Sequence, residues 1–353
     1  MHACKKVLQA GISHKCKPLL KRQPPPKLRG EVGAPNEEAG EGVSLAIQSH
    51  NKRPTRWHIG VFLAPAVLVY TAIMIIPLFG TLQFSLFQEV EQLQVFVGLD
   101  NFKTLFGDPN WSKSFWNALA NNAWFFIIHM LVQNPIGILL AAILASPRLR
   151  MAAFYRTAIF VPTILSFVIV GFAWKLILSP IWGITPDLLQ MIGLKSLFAP
   201  WLGKEAYALT TLALISVWQF VGIPMMLIYA ALLTIPDEVL EAAECDGITG
   251  MKQFWKIKLP LILPSIGIIS VLTFVANFNA FDLIYTTQGA LAGPNFATDI
   301  LGTFMFRTFF GFQLQLGDPN MGATIASAMF FVILIGVCIY LFGIQSRMRR
   351  YQF

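Results

Sequence analysis

Charge and cysteine are both scarce in this sequence, and each shortage excludes a class of protein. Charged residues make up 12% of the 353 residues, whereas soluble domains carry about 25%. The four cysteines have no spacing typical of a disulfide framework. A His-x-Cys pattern occurs at 2–4 and at 14–16, and we prefer coincidence to a metal site because the segment has no scaffold for tetrahedral ligands. We therefore predict neither a small secreted scaffold nor a metal centre, and the low charge indicates a chain that is solvated mostly by lipid.

Motifs for nucleotide binding and for hydrolysis are also missing. No Gly-x-x-x-x-Gly-Lys-[Ser/Thr] occurs in the chain, so it has no cradle for the phosphates of ATP. Neither His-Glu-x-x-His nor Gly-x-Ser-x-Gly is present, which argues against an intramembrane enzyme. We predict that the protein is not an enzyme and that this chain itself binds no cofactor.

The net charge of +8 lies almost entirely in one segment. Residues 1–56 hold eleven Lys and Arg against four Glu, which gives seven of the eight net charges. The segment is rich in Pro and Gly and lacks the apolar core of a secretory signal, so we predict a disordered basic tail over 1–56. Attraction to lipid headgroups is a minor role that it could have. We predict no binding to nucleic acid.

Long apolar runs dominate the rest of the chain. The mean hydropathy of the whole sequence, tail included, is +0.62. A helix that spans a bilayer needs about 20 apolar residues. Six runs qualify, over residues 59–82, 118–145, 157–178, 207–233, 261–285 and 322–344. We predict an all-α integral membrane protein, with a six-span domain over 57–346 and a short basic tail over 347–353.

The distribution of Lys and Arg in the short connections predicts the orientation. Basic residues cluster after the second span, after the fourth span and at the C-terminus: Arg148, Arg150, Arg156, Lys252, Lys256, Lys258, Arg347, Arg349 and Arg350. The connections on the opposite side hold fewer basic residues, and these are interleaved with acids. We therefore predict that both termini and the segment 236–260 are cytoplasmic.

The segment 236–260 is a polar interruption between the fourth and fifth runs. Pro236, with two acids behind it, favours the start of a helix, and Gly247 favours a left-handed helix end. Thr249 is placed to cap a second short helix, and Pro260 is placed to stop that helix at the membrane surface. We predict a helix–Gly–helix hairpin outside the bilayer.

Large apolar side chains occur within this hairpin, and they indicate that it binds a partner. Met251, Phe254, Trp255 and Ile257 are rimmed by charge, which is typical of a docking surface. The alternative is a solvated loop that only joins two spans.

The stretch EAAECDGITGMKQFWKIKLPLILP resembles the EAA loop of ABC-transporter permease subunits. The residues that match the family pattern are Glu241, Ala242, Ala243, Asp246, Gly247, Ile257, Leu259, Pro260 and Pro264. The resemblance implies a coupling hairpin that inserts into a groove of a cytoplasmic ATPase dimer, where ATP and Mg are bound. The implied coupling residues are Glu241, Ala242, Ala243, Asp246, Gly247, Phe254, Ile257 and Pro260.

Three further stretches resemble carbohydrate permeases of the maltose and glycerol-3-phosphate type: VGLDNFKTLFGDPNWSKSFWNAL, RTAIFVPTILSFVIVGFAWKLIL and VWQFVGIPMMLIYAALLTIPDEV. FDLIYTTQGALAGPNFATDIL is similar to their Thr-x-Gly-Gly-Pro-x-x-x-Thr segment, stretched by residues 290–292. The resemblance covers about residues 57–350. It implies a subunit in the bacterial cytoplasmic (inner) membrane that imports a sugar or polyol. The implied partners are a second permease, the ATPase dimer and an extracytoplasmic solute-binding protein.

Polar and helix-breaking residues within the spans indicate where a substrate would pass. Thr273, Asn277 and Ala280 follow helical spacing along one face of the fifth span, and Gly222-Ile223-Pro224 predicts a break in the fourth. The resemblance implies a sugar pathway lined by Trp218, Gly222, Met225, Thr273, Ala276, Asn277 and Ala280. The alternative for each is packing against the second permease.

Two polar residues of the second span have a simpler interpretation. For His129 and Gln133, one turn apart, we prefer hydrogen bonding between helices.

An ion-gradient-driven secondary transporter of small polar solutes is the alternative function. Such a transporter would usually carry carboxylates in the middle of its spans. Asp282 is the only candidate, and it lies toward the outer end of the fifth span.

Overall fold

A computed structural model of the protein describes residues 57–345 apart from 147–148, 195, 197 and 314–315. The predicted tails over 1–56 and 347–353 lie outside these residues. The described part is mostly helical.

The first span begins with helix α1 (Trp57–Tyr70), which passes through a π-helical turn (Thr71–Ile75) into α2 (Ile76–Phe84). Pro77 follows the wide turn, which accommodates a residue that has no N–H to donate. Most side chains of this span are exposed, as expected of a helix that faces lipid or another subunit.

A short antiparallel hairpin follows, so the all-α prediction is wrong at this place. Strand β1 (Phe87–Val90) pairs with β2 (Leu93–Phe96), and Val90 lies opposite Leu93. Both turn residues, Glu91 and Gln92, have positive φ, as a two-residue hairpin turn requires. Neither is glycine or asparagine, so the sequence has no strong turn signal there.

The second span is one long helix with a wide turn near its middle. Helix α3 (Asp100–Gly107) precedes α4 (Pro109–Ile128), a π-helical turn (His129–Gln133) and α5 (Asn134–Leu144). The carboxylate of Asp108 caps α4 by accepting the backbone N–H of Asn110 at 2.9 Å. The wide turn stands directly before Asn134-Pro135, where the proline has no N–H to donate to a regular helix.

The third span is not the straight helix that the run 157–178 predicts. Helix α6 (Ala152–Phe160) and a 3₁₀ turn (Val161–Ile164) lead to α7 (Phe167–Ile177), which is bent by 95° from them. The bend arises because Leu165 and Ser166 are extended, and the hydroxyl of Ser166 caps the new helix. Helix α8 (Thr185–Met191) follows.

The fourth span breaks where Gly222-Ile223-Pro224 predicts it. Helix α9 (Glu205–Phe220) and α10 (Gly222–Leu233) meet at an angle of 42°. Helix α11 (Asp237–Cys245) then begins the predicted hairpin.

The fifth span contradicts one expectation, since Pro260 does not stop a helix. Helix α12 (Gly250–Gln253) continues through a π-helical turn (Phe254–Lys258) into α13 (Leu259–Phe278). The wide turn directly before Pro260 makes room for its ring and removes the need for its N–H. The second helix of the hairpin is therefore continuous with the span.

The last elements are α14 (Asp282–Gln288), a 3₁₀ turn (Pro294–Phe296), α15 (Leu301–Phe310) and α16 (Pro319–Ile339), which ends in a π-helical turn (Tyr340–Gln345). Within the described residues, four helices are long and apolar enough to cross a membrane, and the number is six if each bent pair counts as one span.

Three buried apolar clusters hold these elements together. One joins the second, third and fourth spans around Phe125, Val170 and Leu212. Another joins α3, α4, α15 and α16, and the third joins α5, α10 and α13.

Candidate functional sites: a cavity and an exposed hairpin

A cavity lies between the second, third, fourth and fifth spans. Its volume of about 480 Å³ is within the usual range of ligand pockets, about 300–1,000 Å³. Its wall combines aromatic rings with polar side chains. The rings belong to Phe125, Phe167, Phe220 and Phe281, and the polar side chains to His129, Gln133, Ser216, Thr273, Asn277, Asn279 and Asp282. Among the described residues, no Lys or Arg lines it.

Breaks in two spans form this cavity. The fourth span is interrupted at Val221, and the fifth stops at Phe278 and resumes at Asp282. Irregular backbone at membrane depth needs partners from the protein. At the fifth-span break, the buried side chain of Asn122 donates to the carbonyl of Asn277 at 2.9 Å and accepts the N–H of Leu301 at 2.8 Å.

Four of the seven predicted pathway residues line the cavity: Thr273, Ala276, Asn277 and Ala280. The hydroxyl of Thr273 donates to the carbonyl of Ile269 at 2.9 Å, and the amide of Asn277 donates to the carbonyl of Thr273 at 2.7 Å. Ala280 lies beyond the end of α13, so it reaches the cavity through the break and not through helical periodicity. Their part in transport stays a prediction.

The other three, all in the fourth span, do not line the cavity. Met225 is fully buried in the cluster with α5 and α13, and Gly222 packs against the backbone of the third span. Trp218 is 43% exposed and contacts the edge of Trp174. The bend between α9 and α10 turns Ser216, Phe220, Ile223, Pro224 and Leu227 to the cavity instead.

Gly222 lies where the bent fourth span packs closely against the bent third span. A Cβ at this position would lie 3.0 Å from both the carbonyl oxygen of Ile159 and the Cα of Phe160, and backbone cannot rotate away as a side chain can. We expect Gly222→Val to destabilise the protein by about 1–3 kcal/mol, measured as thermal unfolding in detergent. Gly80→Val is the matched control, because nothing lies within 4 Å of its Cβ position. Equal stability of the two variants would contradict this packing.

His129 connects the second span to the fourth by a hydrogen bond between helices, which is the interpretation preferred from the sequence. Its Nδ1 lies 2.8 Å from the carbonyl oxygen of Phe125, and its Nε2 lies 3.0 Å from Oγ of Ser216. A carbonyl only accepts, so Nδ1 carries the hydrogen, and Nε2 of the neutral ring accepts from the serine hydroxyl. Gln133 differs, because its buried Oε1 accepts no hydrogen bond within the described part of the chain.

The hairpin is a second candidate site, and its turn is built as the sequence predicts. Gly247 has φ +76°, and the N–H of Ile248 bonds the carbonyl of Ala243 at 2.8 Å, which together form a left-handed helix cap. The side chain of Gln253 donates to the carbonyl of Leu240 at 3.2 Å and ties the two helices together. Thr249 occupies the cap position of α12 but makes no side-chain cap bond, which corrects that expectation.

The predicted coupling residues fall into two groups by exposure. Glu241, Ala242, Asp246 and Gly247 are exposed, whereas Ala243 is buried and Phe254, Ile257 and Pro260 are partly buried. Phe254 packs on the cluster of α5, α10 and α13. Met251 and Trp255, by contrast, are 67% and 60% exposed. The hairpin is thus anchored to its own bundle through Phe254, and it exposes small, acidic and apolar groups.

A buried ion pair lies in the loop region between α14 and α15. The guanidinium of Arg307 contacts Asp299 through Nη2–Oδ2 at 2.7 Å and donates to the carbonyl of Ala290 at 2.9 Å. The hydroxyl of Thr303 donates to Asp299 at 2.7 Å. Burial raises the pKa of the Asp299 carboxyl, while the guanidinium beside it acts in the opposite direction. The pair holds the residues of the 290–292 stretch in place.

Apolar spans that break around a cavity with polar groups in its wall, joined to an exposed hairpin, are typical of multi-pass membrane transport subunits. The chain belongs to the family of binding-protein-dependent transport system inner membrane components, whose family pattern matches residues 133–350. As a member of it, the chain is a permease subunit and not an enzyme.

Individual relatives agree with this membership. The probable ABC transporter permease protein YurN of Bacillus subtilis is 34% identical over 71% of this chain and 84% of its own length. The lactose transport system permease protein LacF of Rhizobium radiobacter is 26% identical over 82% of this chain and 94% of its own. A solved bacterial ABC transporter involved in import of the acidic polysaccharide alginate shares the fold, with a TM-score of 0.65, 22% identity and coverage of 84% and 96%.

Proposed function

We propose that this chain is one of two permease subunits of an ABC importer for a sugar or related polyol. The observation that carries the proposal is the cavity at the breaks of the fourth and fifth spans, where amides and aromatic rings meet. Amide hydrogen bonds combined with ring stacking suit the hydroxyls and apolar faces of a sugar. Relatives named for the transport of lactose, arabinooligosaccharides and trehalose or maltose support a carbohydrate cargo.

In this proposal the pathway residues have two kinds of role. Thr273, Ala276, Asn277 and Ala280 line the passage itself. Gly222 and Met225 shape it by packing the fourth span against the third and second. Trp218 remains 43% exposed, where a second permease would cover it.

The hairpin 236–260 transmits the work of a separate ATPase dimer, which binds ATP and Mg. Its exposed residues form the surface that would dock, and they are Glu241, Ala242, Asp246, Met251 and Trp255. Lys252, Lys256 and Lys258 favour a cytoplasmic position for it. Six spans then bring both termini to the same side, with the solute-binding protein on the other.

ATP binding would close the ATPase dimer, move the docked hairpins and open the cavity toward the binding protein. Such a shift requires the ATPase to hold one state of the permease more tightly than the other. The continuous helix from Gly250 to Phe278 supports this role, because it joins the hairpin directly to the wall of the cavity.

The test is ATP hydrolysis by the complex encoded with this chain, reconstituted in liposomes with its binding protein. We expect one sugar of a panel to stimulate hydrolysis several-fold and to accumulate inside. Uptake driven by a proton or sodium gradient without ATP, together with failure of any ATPase to co-purify, would contradict the proposal and favour a secondary transporter.

A further inference from the structure

The polar wall of the cavity offers several hydrogen-bond acceptors and no positive charge within the described residues. The side-chain amides of Asn277 and Asn279 donate to carbonyls of their own helix, at 2.7 Å to Thr273 and 2.9 Å to Val275. Each bond uses one of the two N–H groups of the amide, so one N–H remains to donate and the amide oxygen remains to accept. The hydroxyl hydrogen of Ser216 points to the neutral ring of His129, so the serine oxygen has only acceptor capacity left.

Gln133 adds an acceptor that nothing in the described part of the chain satisfies. The residue is 6% exposed, lines the cavity, and its Oε1 is buried without a donor. A buried carbonyl without a hydrogen bond is unfavourable and rare in folded proteins. A group that enters the cavity with an O–H to donate would satisfy it.

The charged groups of the wall also favour a neutral solute. Asp282 adds a carboxylate, and no Lys or Arg of the described chain lines the cavity. A phosphate or carboxylate group would find no cation to balance its charge and would face the Asp282 carboxylate in a mostly apolar cavity. A neutral polyhydroxyl compound brings both donors and acceptors and carries no charge to desolvate.

We infer that this cavity selects an uncharged, hydroxyl-rich solute, that Gln133 accepts a hydrogen bond from it, and that phosphorylated or uronic sugars are rejected. The inference rests on the proposed transport function and names its substrate class. It distinguishes this chain from the alginate importer that shares its fold, since that cargo is acidic.

The experiment uses the reconstituted complex with its binding protein and three kinds of probe: neutral di- and oligosaccharides, alginate pentasaccharide and glycerol 3-phosphate. The key variant is Gln133→Met, which keeps the shape of the side chain and removes the amide. Removal of an unsatisfied buried group should leave thermal stability unchanged or increased. We expect it to raise the concentration of neutral sugar for half-maximal uptake roughly tenfold.

Gln219→Met is the matched control. Gln219 is also fully buried with an unpaired Oε1, but it lies outside the cavity, and its amide donates to the carbonyl of Leu165 at 3.1 Å. We expect this variant to lose stability and to keep the half-maximal sugar concentration of the unchanged protein.

The outcomes separate the two hypotheses. If no probe stimulates ATP hydrolysis in the unchanged complex, the proposed function itself fails. If hydrolysis and uptake respond to alginate pentasaccharide or glycerol 3-phosphate, the function stands and the inference is overturned. It is also overturned if Gln133→Met transports neutral sugar with an unchanged half-maximal concentration, or loses stability as Gln219→Met does.

Discussion

Replacement of Gly247 by valine is expected to reduce ATP-driven uptake at least tenfold while the protein still inserts in the membrane. Gly247 has φ +76°, and nothing lies within 4 Å of the position that a Cβ would occupy, so a clash is not the cause. The cause is the backbone, because left-handed geometry costs a residue with a Cβ roughly 1–2 kcal/mol, and a β-branched one at least as much. The cap bond from Ile248 to Ala243 would open and α12 would turn away from α11.

The measurement is ATP-dependent sugar uptake in liposomes, with protease accessibility of the tails as the check on insertion. Gly247→Asn is the control, because asparagine tolerates the left-handed conformation better than other residues with a Cβ, and we expect it to keep most of the activity. Normal uptake by Gly247→Val would mean that the hairpin does not couple ATP hydrolysis to transport.

The largest loss of stability is expected from Arg307→Met. The change removes the guanidinium that neutralises Asp299 and leaves a carboxylate that is buried without a partner cation. Loss of one partner of a buried ion pair destabilises by about 3–5 kcal/mol. Thermal unfolding of the purified complex measures the effect. The double variant Asp299→Leu with Arg307→Met should recover more than half of it, because no buried charge remains.

The pH dependence gives an independent check on this variant. Burial already raises the pKa of Asp299, and without Arg307 it rises further. The folded protein then binds the carboxyl proton more tightly than the unfolded chain does, so its stability falls as the pH rises through the folded pKa. We expect the deficit of Arg307→Met to shrink as the pH is lowered from neutral through the raised folded pKa of Asp299. A deficit that does not change with pH would show that the lost contacts, and not the unpaired charge, are responsible.

Local features of the sequence predicted much of the fold. The six apolar runs correspond to four long helices and two bent pairs, because the length of an apolar run determines whether a helix can cross a bilayer. The end of the first hairpin helix follows from residue type, since glycine at position 247 permits the left-handed cap. Gly222-Ile223-Pro224 likewise indicated a break, because a proline cannot supply the N–H of a continuous helix.

The angles and the partners of these elements were decided by the tertiary structure. The 95° bend of the third span depends on two extended residues, Leu165 and Ser166, that no breaker marks directly. Pro260 was expected to end a helix, but a π-helical turn accommodates it. The break after Phe278 persists because Asn122, which is distant in the sequence, binds the freed carbonyl.

The residues that line the cavity were also predicted only in part from the sequence. Polar residues within the apolar runs, such as Asn277 and Gln133, were visible in the sequence, and the periodicity of the fifth span predicted part of the wall. Met225 and Gly222 turned out to lie behind it, because a bend of 42° in the fourth span changes which side chains face inward. Hydrophobicity and propensity therefore determined which segments form helices long and apolar enough to cross a membrane, whereas the packing of distant residues determined which side chains share the cavity.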